Sequence, residues 1–104
     1  MKHLLCLAIL LPIVAQAANE VPLTIKDHRF EPSELVVPAR QKVKLVIHNQ
    51  DAAPEEFESH ELNREKVILG NSTATVYVGP LEPGRYGFIG EYNEKTAQGV
   101  IVVE

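Results

Sequence analysis

The stretch Gly84-Arg85-Tyr86-Gly87-Phe88-Ile89-Gly90-Glu91-Tyr92-Asn93-Glu94-Lys95-Thr96-Ala97-Gln98-Gly99-Val100-Ile101-Val102-Val103 decides how this chain is read. Tyr86 and Phe88 alternate with Arg85 and Gly87, the period of a strand with one face in a core. The Pro83-Gly84 turn feeds that strand. A polar loop follows. Val100 to Val103 is then apolar throughout, as in a strand covered on both faces. Strand, polar loop and closing strand are the pieces of an all-β domain.

Upstream, the same period recurs. Leu23 and Ile25 alternate with Thr24 and Lys26, and Leu35-Val36-Val37 is bounded by Pro32 and Pro38. Val43, Leu45 and Ile47 alternate with Lys42, Lys44, Val46 and His48. Ala74, Val76 and Val78 alternate with Thr73, Thr75 and Tyr77. Turn residues separate the runs at Glu31-Pro32-Ser33, Val37-Pro38-Ala39, Asn49-Gln50-Asp51, Gly70-Asn71-Ser72 and Gly79-Pro80. The best helix candidate is Glu55 to Lys66, and then only as a short turn. The spacing predicts two packed antiparallel sheets of about seven strands.

Not all 104 residues are expected to fold together. Residues 1–17 read as a secretory signal: a short basic start at Lys2 and His3, an apolar run from Leu4 to Val14, and Ala15-Gln16-Ala17 as the cleavage site. The run is too short to span a bilayer core of about 30 Å. Cys6 and Met1 both lie in this segment, so the domain expected from Ala18 to Glu104 contains no sulfur and no disulfide. Without Lys2, nine Lys and Arg oppose fourteen Asp and Glu, a net charge of −5. That balance speaks against nucleic acid or an anionic membrane as partner. The negative charge is concentrated in Glu55, Glu56, Glu58, Glu61 and Glu65.

Several stretches together resemble one family. Phe30-Glu31-Pro32 with Leu35-Val36-Val37-Pro38-Ala39 resembles the second strand of small cupredoxins. Val43 to Asp51, ending in Asn49-Gln50-Asp51, resembles the third. Leu81-x-Pro83-Gly84-x-Tyr86-x-Phe88 resembles the approach to the copper loop. The resemblance implies a cupredoxin-like Greek-key β-sandwich. In that family the loop carries Cys, His and Met in the order C-x2-H-x4-M. The matching positions here hold Gly90, Asn93 and Gln98. With no thiolate, imidazole or thioether, this loop cannot form a blue-copper centre.

Within the cupredoxins, the chain is similar to the cupredoxin-like proteins and domains of bacterial periplasmic iron uptake, which accompany an iron permease. The likeness rests on Pro54 to Ser59, Arg64-Glu65-Lys66-Val67, Gly90-Glu91-Tyr92-Asn93 and Thr96-Ala97-Gln98-Gly99. It implies a periplasmic component that handles metal beside other uptake proteins or the permease.

The residues themselves suggest oxygen and nitrogen ligands. After Asn49-Gln50-Asp51, where the first His ligand of the fold is expected, the chain reads Ala52-Ala53-Pro54-Glu55-Glu56. As a strand, this segment places Glu56, Glu58 and His60 on one face and Phe57 and Ser59 on the other. As a helix, it still places Glu56 beside His60. Glu91, next to Gly90, is the natural third member, with Asn93 close behind and His28 as a further candidate. The expected metal ligands are therefore Glu56, His60 and Glu91, assisted by His28, Glu58 and Asn93. This set suits iron or Cu(II) rather than Cu(I). Against it, a run of glutamates such as Glu55, Glu58 and Glu61 is ordinarily solvated surface. His48 reads as an exposed sheet residue, while Tyr86 and Phe88 read as core. Tyr92 is open between packing over the site and a ligand or redox role.

Two functions from different classes follow. One is a metal-binding protein of ferrous-iron uptake. The other is a metal-free scaffold whose acidic pole docks a basic protein surface. An enzyme that oxidises Fe(II) ranks below both, because a lone sulfur-free site gives little reason for fast electron transfer. No Ser-His-Asp order with a nucleophile elbow and no phosphate-cradling glycine loop points to other catalysis.

Overall fold

The structure is a computed structural model that describes residues 19–104. The expected signal segment 1–17 lies outside the described residues. Nine strands form, in the order β1 Glu20–Lys26, β2 Arg29–Glu31, β3 Glu34–Val37, β4 Val43–Asn49, β5 Glu55–Ser59, β6 Arg64–Ile68, β7 Ser72–Val78, β8 Gly84–Gly90 and β9 Gln98–Val103. A 3-10 turn, Glu91–Asn93, joins β8 to β9. Among the described residues no helix is long and apolar enough to cross a membrane.

The strands make two sheets, β2-β1-β4-β7 and β3-β9-β8-β5-β6. The all-β sandwich is as the sequence predicts, but it has nine strands rather than about seven and differs in pairing. Two pairs, β1 with β4 and β3 with β9, are parallel rather than antiparallel. The segment left open between a strand and a short helical turn is the hairpin β5–β6, reversing through a turn in which Asn63 holds a φ of 57°. Phe57 and Ile68 explain the outcome. At strand period both point into the core and are fully covered, at 0% and 1% exposed.

The core is built from inward members of each alternation: Leu23 and Ile25, Leu35 and Val37, Val43, Leu45 and Ile47, Val76 and Val78, Ile101 and Val103. Near the β8–β9 loop it is aromatic. Phe88 stands 4.9 Å from Phe30 and 5.0 Å from Phe57, centroid to centroid. Each such ring contributes on the order of 1.5–3 kcal/mol by burial. Tyr86 is only half-buried, and its hydroxyl donates to the Glu82 carbonyl at 2.8 Å.

The turn Asn49-Gln50-Asp51 fastens this end of the sandwich. Asn49 is buried and donates to the carbonyls of Ala53 and Ile68, at 2.9 and 3.1 Å. The Asp51 carboxylate accepts the backbone N–H groups of Asp27 and His28, at 2.8 and 3.0 Å. The His28 N–H is the main reason its pKa lies below the usual value.

Candidate metal centre

Strand β5 sets the site. Its inward residues are Glu55, Phe57 and Ser59, and its outward residues are Glu56 and Glu58. Pro54 precedes it, and only two residue pairs join it to β8, Phe57 with Gly90 and Glu58 with Ile89. Beyond them side chains replace the ladder. Ser59 Oγ donates to the Gly87 carbonyl at 2.8 Å, and Glu61 Oε1 accepts the Gly87 N–H.

Glu55 follows Phe57 into the interior and is 2% exposed, not solvated surface. Its Oε1 accepts from the backbone N–H of Glu56 and of Tyr92, each at 2.9 Å, and its Oε2 accepts from Asn93 Nδ2 at 2.8 Å. The carboxylate lies directly against Gly90. A Cβ there would stand 2.7 Å from Glu55 Cδ and 2.7 Å from Glu55 Oε2. At the position where the copper loop has its thiolate, this chain has a glycine, and a glutamate fills the space. The residues present do not fit a blue-copper centre.

Three of the six expected ligands meet on the outer side of the same strand. One carboxylate oxygen from each of Glu56, Glu58 and Glu91 lies within 4.8 Å of the others. Glu91 reaches them because the 3-10 turn begins right after Gly90, held by the Tyr92 N–H on Glu55. Glu58 is 8% exposed. Among the described residues no N–H group is recorded donating a hydrogen bond to its carboxylate. The basic side chain beside it is His60, with Nε2 3.6 Å away on a side chain 84% exposed. Glu65 stands opposite Glu58 on β6 and adds negative charge.

This crowding appears in the pKa values. Glu58 is pushed up to about 7, first by the hydrogen bond it shares with Glu91, then by desolvation and the Glu91 charge. Glu56 is also raised, by desolvation first and then by the charge of Glu91.

The other expected ligands are placed differently. His60 lies at the rim beside Glu58. Asn93 is committed to Glu55 and holds the loop. His28 sits at the same end of the sandwich but faces Asp51, with Nδ1 3.7 Å from Oδ2. Its carbonyl accepts Thr96 Oγ1 at 2.6 Å, which ties the β1–β2 turn to the loop. His48 is exposed beside Thr73, as expected. Tyr92 is 52% exposed. Sequence reasoning missed Glu55 as the anchor of the loop. The available signal was its phase, which puts it on the face of Phe57.

A family model for the cupredoxin-like domain matches residues 2–103, and the chain belongs to that family. It is 46% identical over 84 residues to an uncharacterized protein of Rickettsia prowazekii (strain Madrid E), covering 81% of this chain and 67% of the relative. Among solved structures it is similar to the metal-binding domain of the Streptococcus pneumoniae D39 Cu(I)-exporting P-type ATPase, with Cu(I). The TM-score is 0.73 at 15% identity, covering 82% and 84% of the two chains. An amicyanin mutant in its Cu(I) form gives 0.68 at 21% identity, over 88% and 86%. Auracyanin A, a blue copper protein of Chloroflexus aurantiacus, gives 0.65 at 19%, over 82% and 98%. Identities this low show a shared fold alone.

Proposed function

We propose that this cupredoxin-like domain works in the periplasm as a reversible metal-binding protein of a ferrous-iron uptake system. It takes Fe or Cu(II) at Glu56, Glu58 and Glu91, with His60 swinging in from the rim. The observation that carries this reading is Glu58: a nearly buried carboxylate with no N–H donor, facing two further carboxylates. A buried charge without a partner is costly. A cation held between the three oxygens would relieve both the desolvation and the mutual repulsion. Carboxylates with one imidazole suit iron or Cu(II) and disfavour Cu(I). Asn93 and His28 act on this site through the loop, by way of Glu55 and Thr96. The place in iron uptake beside a permease rests on the sequence resemblance.

The test is metal titration of a Glu56→Ala/Glu91→Ala double variant by equilibrium dialysis. The reading expects wild type to bind one equivalent and the double variant to lose it. Equal binding by both would remove this site. Cells lacking the protein should also take up ferrous iron more slowly, and unchanged uptake would remove the physiological role.

One observation favours a second reading. Glu55 occupies the space beside Gly90 and is satisfied without any ion, so the old metal position serves as structure. The domain would then be a metal-free scaffold that docks a periplasmic partner. Full function in the double variant would select this alternative.

A further inference from the structure

Five of the six glycines have a reason within the fold. At Gly70, Gly90 and Gly99 a Cβ would lie 1.9 Å from the Ala52 carbonyl oxygen, 2.7 Å from Glu55 and 2.3 Å from the Phe88 ring. Gly79 and Gly84 hold φ of 92° and 158°. Gly87 has neither reason. It lies inside β8, and a Cβ would meet Glu61 Oε1 at 3.5 Å and the Gly99 carbonyl oxygen at 3.9 Å, both ordinary contacts. A mid-strand glycine costs roughly 0.5–1 kcal/mol against a residue with a side chain. Where the fold does not require one, it marks a place that something else approaches closely.

Gly87 opens a groove. Its lining includes Glu58, His60, Glu61, Ile89 and Gln98, with the floor formed by backbone and apolar carbon. The groove lies on the outer face of the five-stranded sheet. There the register sets Gln98, Ile89, Glu58 and Glu65 in one row, with Val100 beside Gly87 and Val102 beside Val36. Val36 is 56% exposed. So β9 is apolar on both faces, and among the described residues the outer one is not covered by another sheet. The opposite sheet presents outward a surface of mixed polar, charged and apolar residues, among them Glu20, Thr24, Lys44, Val46, Thr73 and Tyr77. One end of the apolar face already carries a cationic side chain. Arg85 reaches across β9 to Glu34, Nη2 to Oε1 3.9 Å. The groove has carboxylates at its mouth and no Lys or Arg paired to them among the described residues.

We infer that this face docks a protein partner, which lays a Lys or Arg side chain in the groove over Gly87. The alkyl stem would rest on Gly87 and Ile89, and the charged head would meet Glu61 and Glu58, the latter being the carboxylate without an N–H donor. Apolar Val36, Val100 and Val102 would meet an apolar patch beside that side chain. The inference stands apart from the metal reading, with Glu58 on the shared border.

The experiment is an NMR titration of the protein, kept metal-free with EDTA, using N-acetylarginine methylamide as probe. N-acetylnorleucine methylamide is the uncharged control. Expected are saturable shifts of the Gly87, Ile89 and Gly99 amides with the arginine probe, no saturation with the norleucine probe, and loss of the shifts in Gly87→Val. That variant should keep its fold, since the Cβ added at Gly87 meets only ordinary contacts. Shifts that persist in Gly87→Val, or that spread equally to Glu34, Glu82 and Glu104, would overturn the inference. Sedimentation covers the remaining occupant: concentration-dependent mass abolished by Gly87→Val would make a second copy the partner and overturn the assignment to another protein. No metal is present, so failure here leaves the metal reading standing. Loss of metal binding in the double variant leaves this one standing.

Discussion

Glu55 and Glu58 sit three residues apart on one strand, both nearly out of water, at 2% and 8% exposed. One carboxylate accepts hydrogen bonds from Glu56 N, Tyr92 N and Asn93 Nδ2. The other shares a hydrogen bond with Glu91 and faces Glu56, with the rim imidazole of His60 nearby. Burial is the same, but the surroundings are opposite. Glu55 is complete as it stands and organises the loop. Glu58 has no N–H donor among the described residues, and its hydrogen bond with Glu91 needs a proton between the two carboxyl groups. The space beside Gly90 is filled by Glu55, and the three clustered carboxylates lie on the outer face of β5.

The largest effect should come from removing the complete member. Glu55→Ala leaves three donors without their acceptor and opens a hole against Gly90, so denaturant unfolding should show a loss of about 3 kcal/mol or more. Glu58→Leu should leave the melting temperature of the metal-free protein unchanged or raised. If both variants were equally destabilised, the contrast would collapse.

Metal binding should reverse the order. Glu58→Gln should weaken Cu(II) or Fe(II) affinity at least as much as loss of a residue that merely orients a ligand does, about 10–100-fold. Conservative changes that spare the cluster, such as His48→Gln, should leave the affinity alone. Calorimetry reads both.

The pH dependence sharpens the contrast next. The folded pKa of Glu58 is raised from 4.5 to about 7, so the folded state binds more protons than the unfolded state between those values. Stability of the metal-free protein should therefore fall as pH rises from about 4.5 to about 7, then level off. Glu56 adds in the same direction, since it too is raised. Urea midpoints across that range should show the decline in wild type and a shallower one in Glu58→Gln. The smallest expected effect is Gly87→Val, a gain of roughly 0.5–1 kcal/mol from a side chain whose Cβ meets only ordinary contacts.

Much of the sandwich was legible because period 2 is a local signal. Ile25, Leu45 and Phe88 each announce their face within a few residues. The phase of β5 also put Glu56 and Glu58 outside and Phe57 inside. The difference between Glu55 and Glu58 was not legible, because it is made by distant chain. Asn93 meets Glu55 across 38 positions and Tyr92 across 37. Glu91 arrives over Glu58 only because the 3-10 turn is pinned there. Gly90 read as a lost ligand. In the structure its missing side chain is the space that Glu55 needs. The return strand β6 was obscured by Arg64, Glu65 and Lys66, whose charge and weak strand preference leave Ile68 as its one fully buried residue.

The most direct test of the contrast is calorimetric titration of wild type and Glu58→Gln with Cu(II) and, without oxygen, Fe(II). The account predicts saturable one-to-one binding of at least one of these ions by wild type, and its loss or severe weakening in Glu58→Gln. Absence of saturable binding by either ion, or equal affinity in the two proteins, would contradict it.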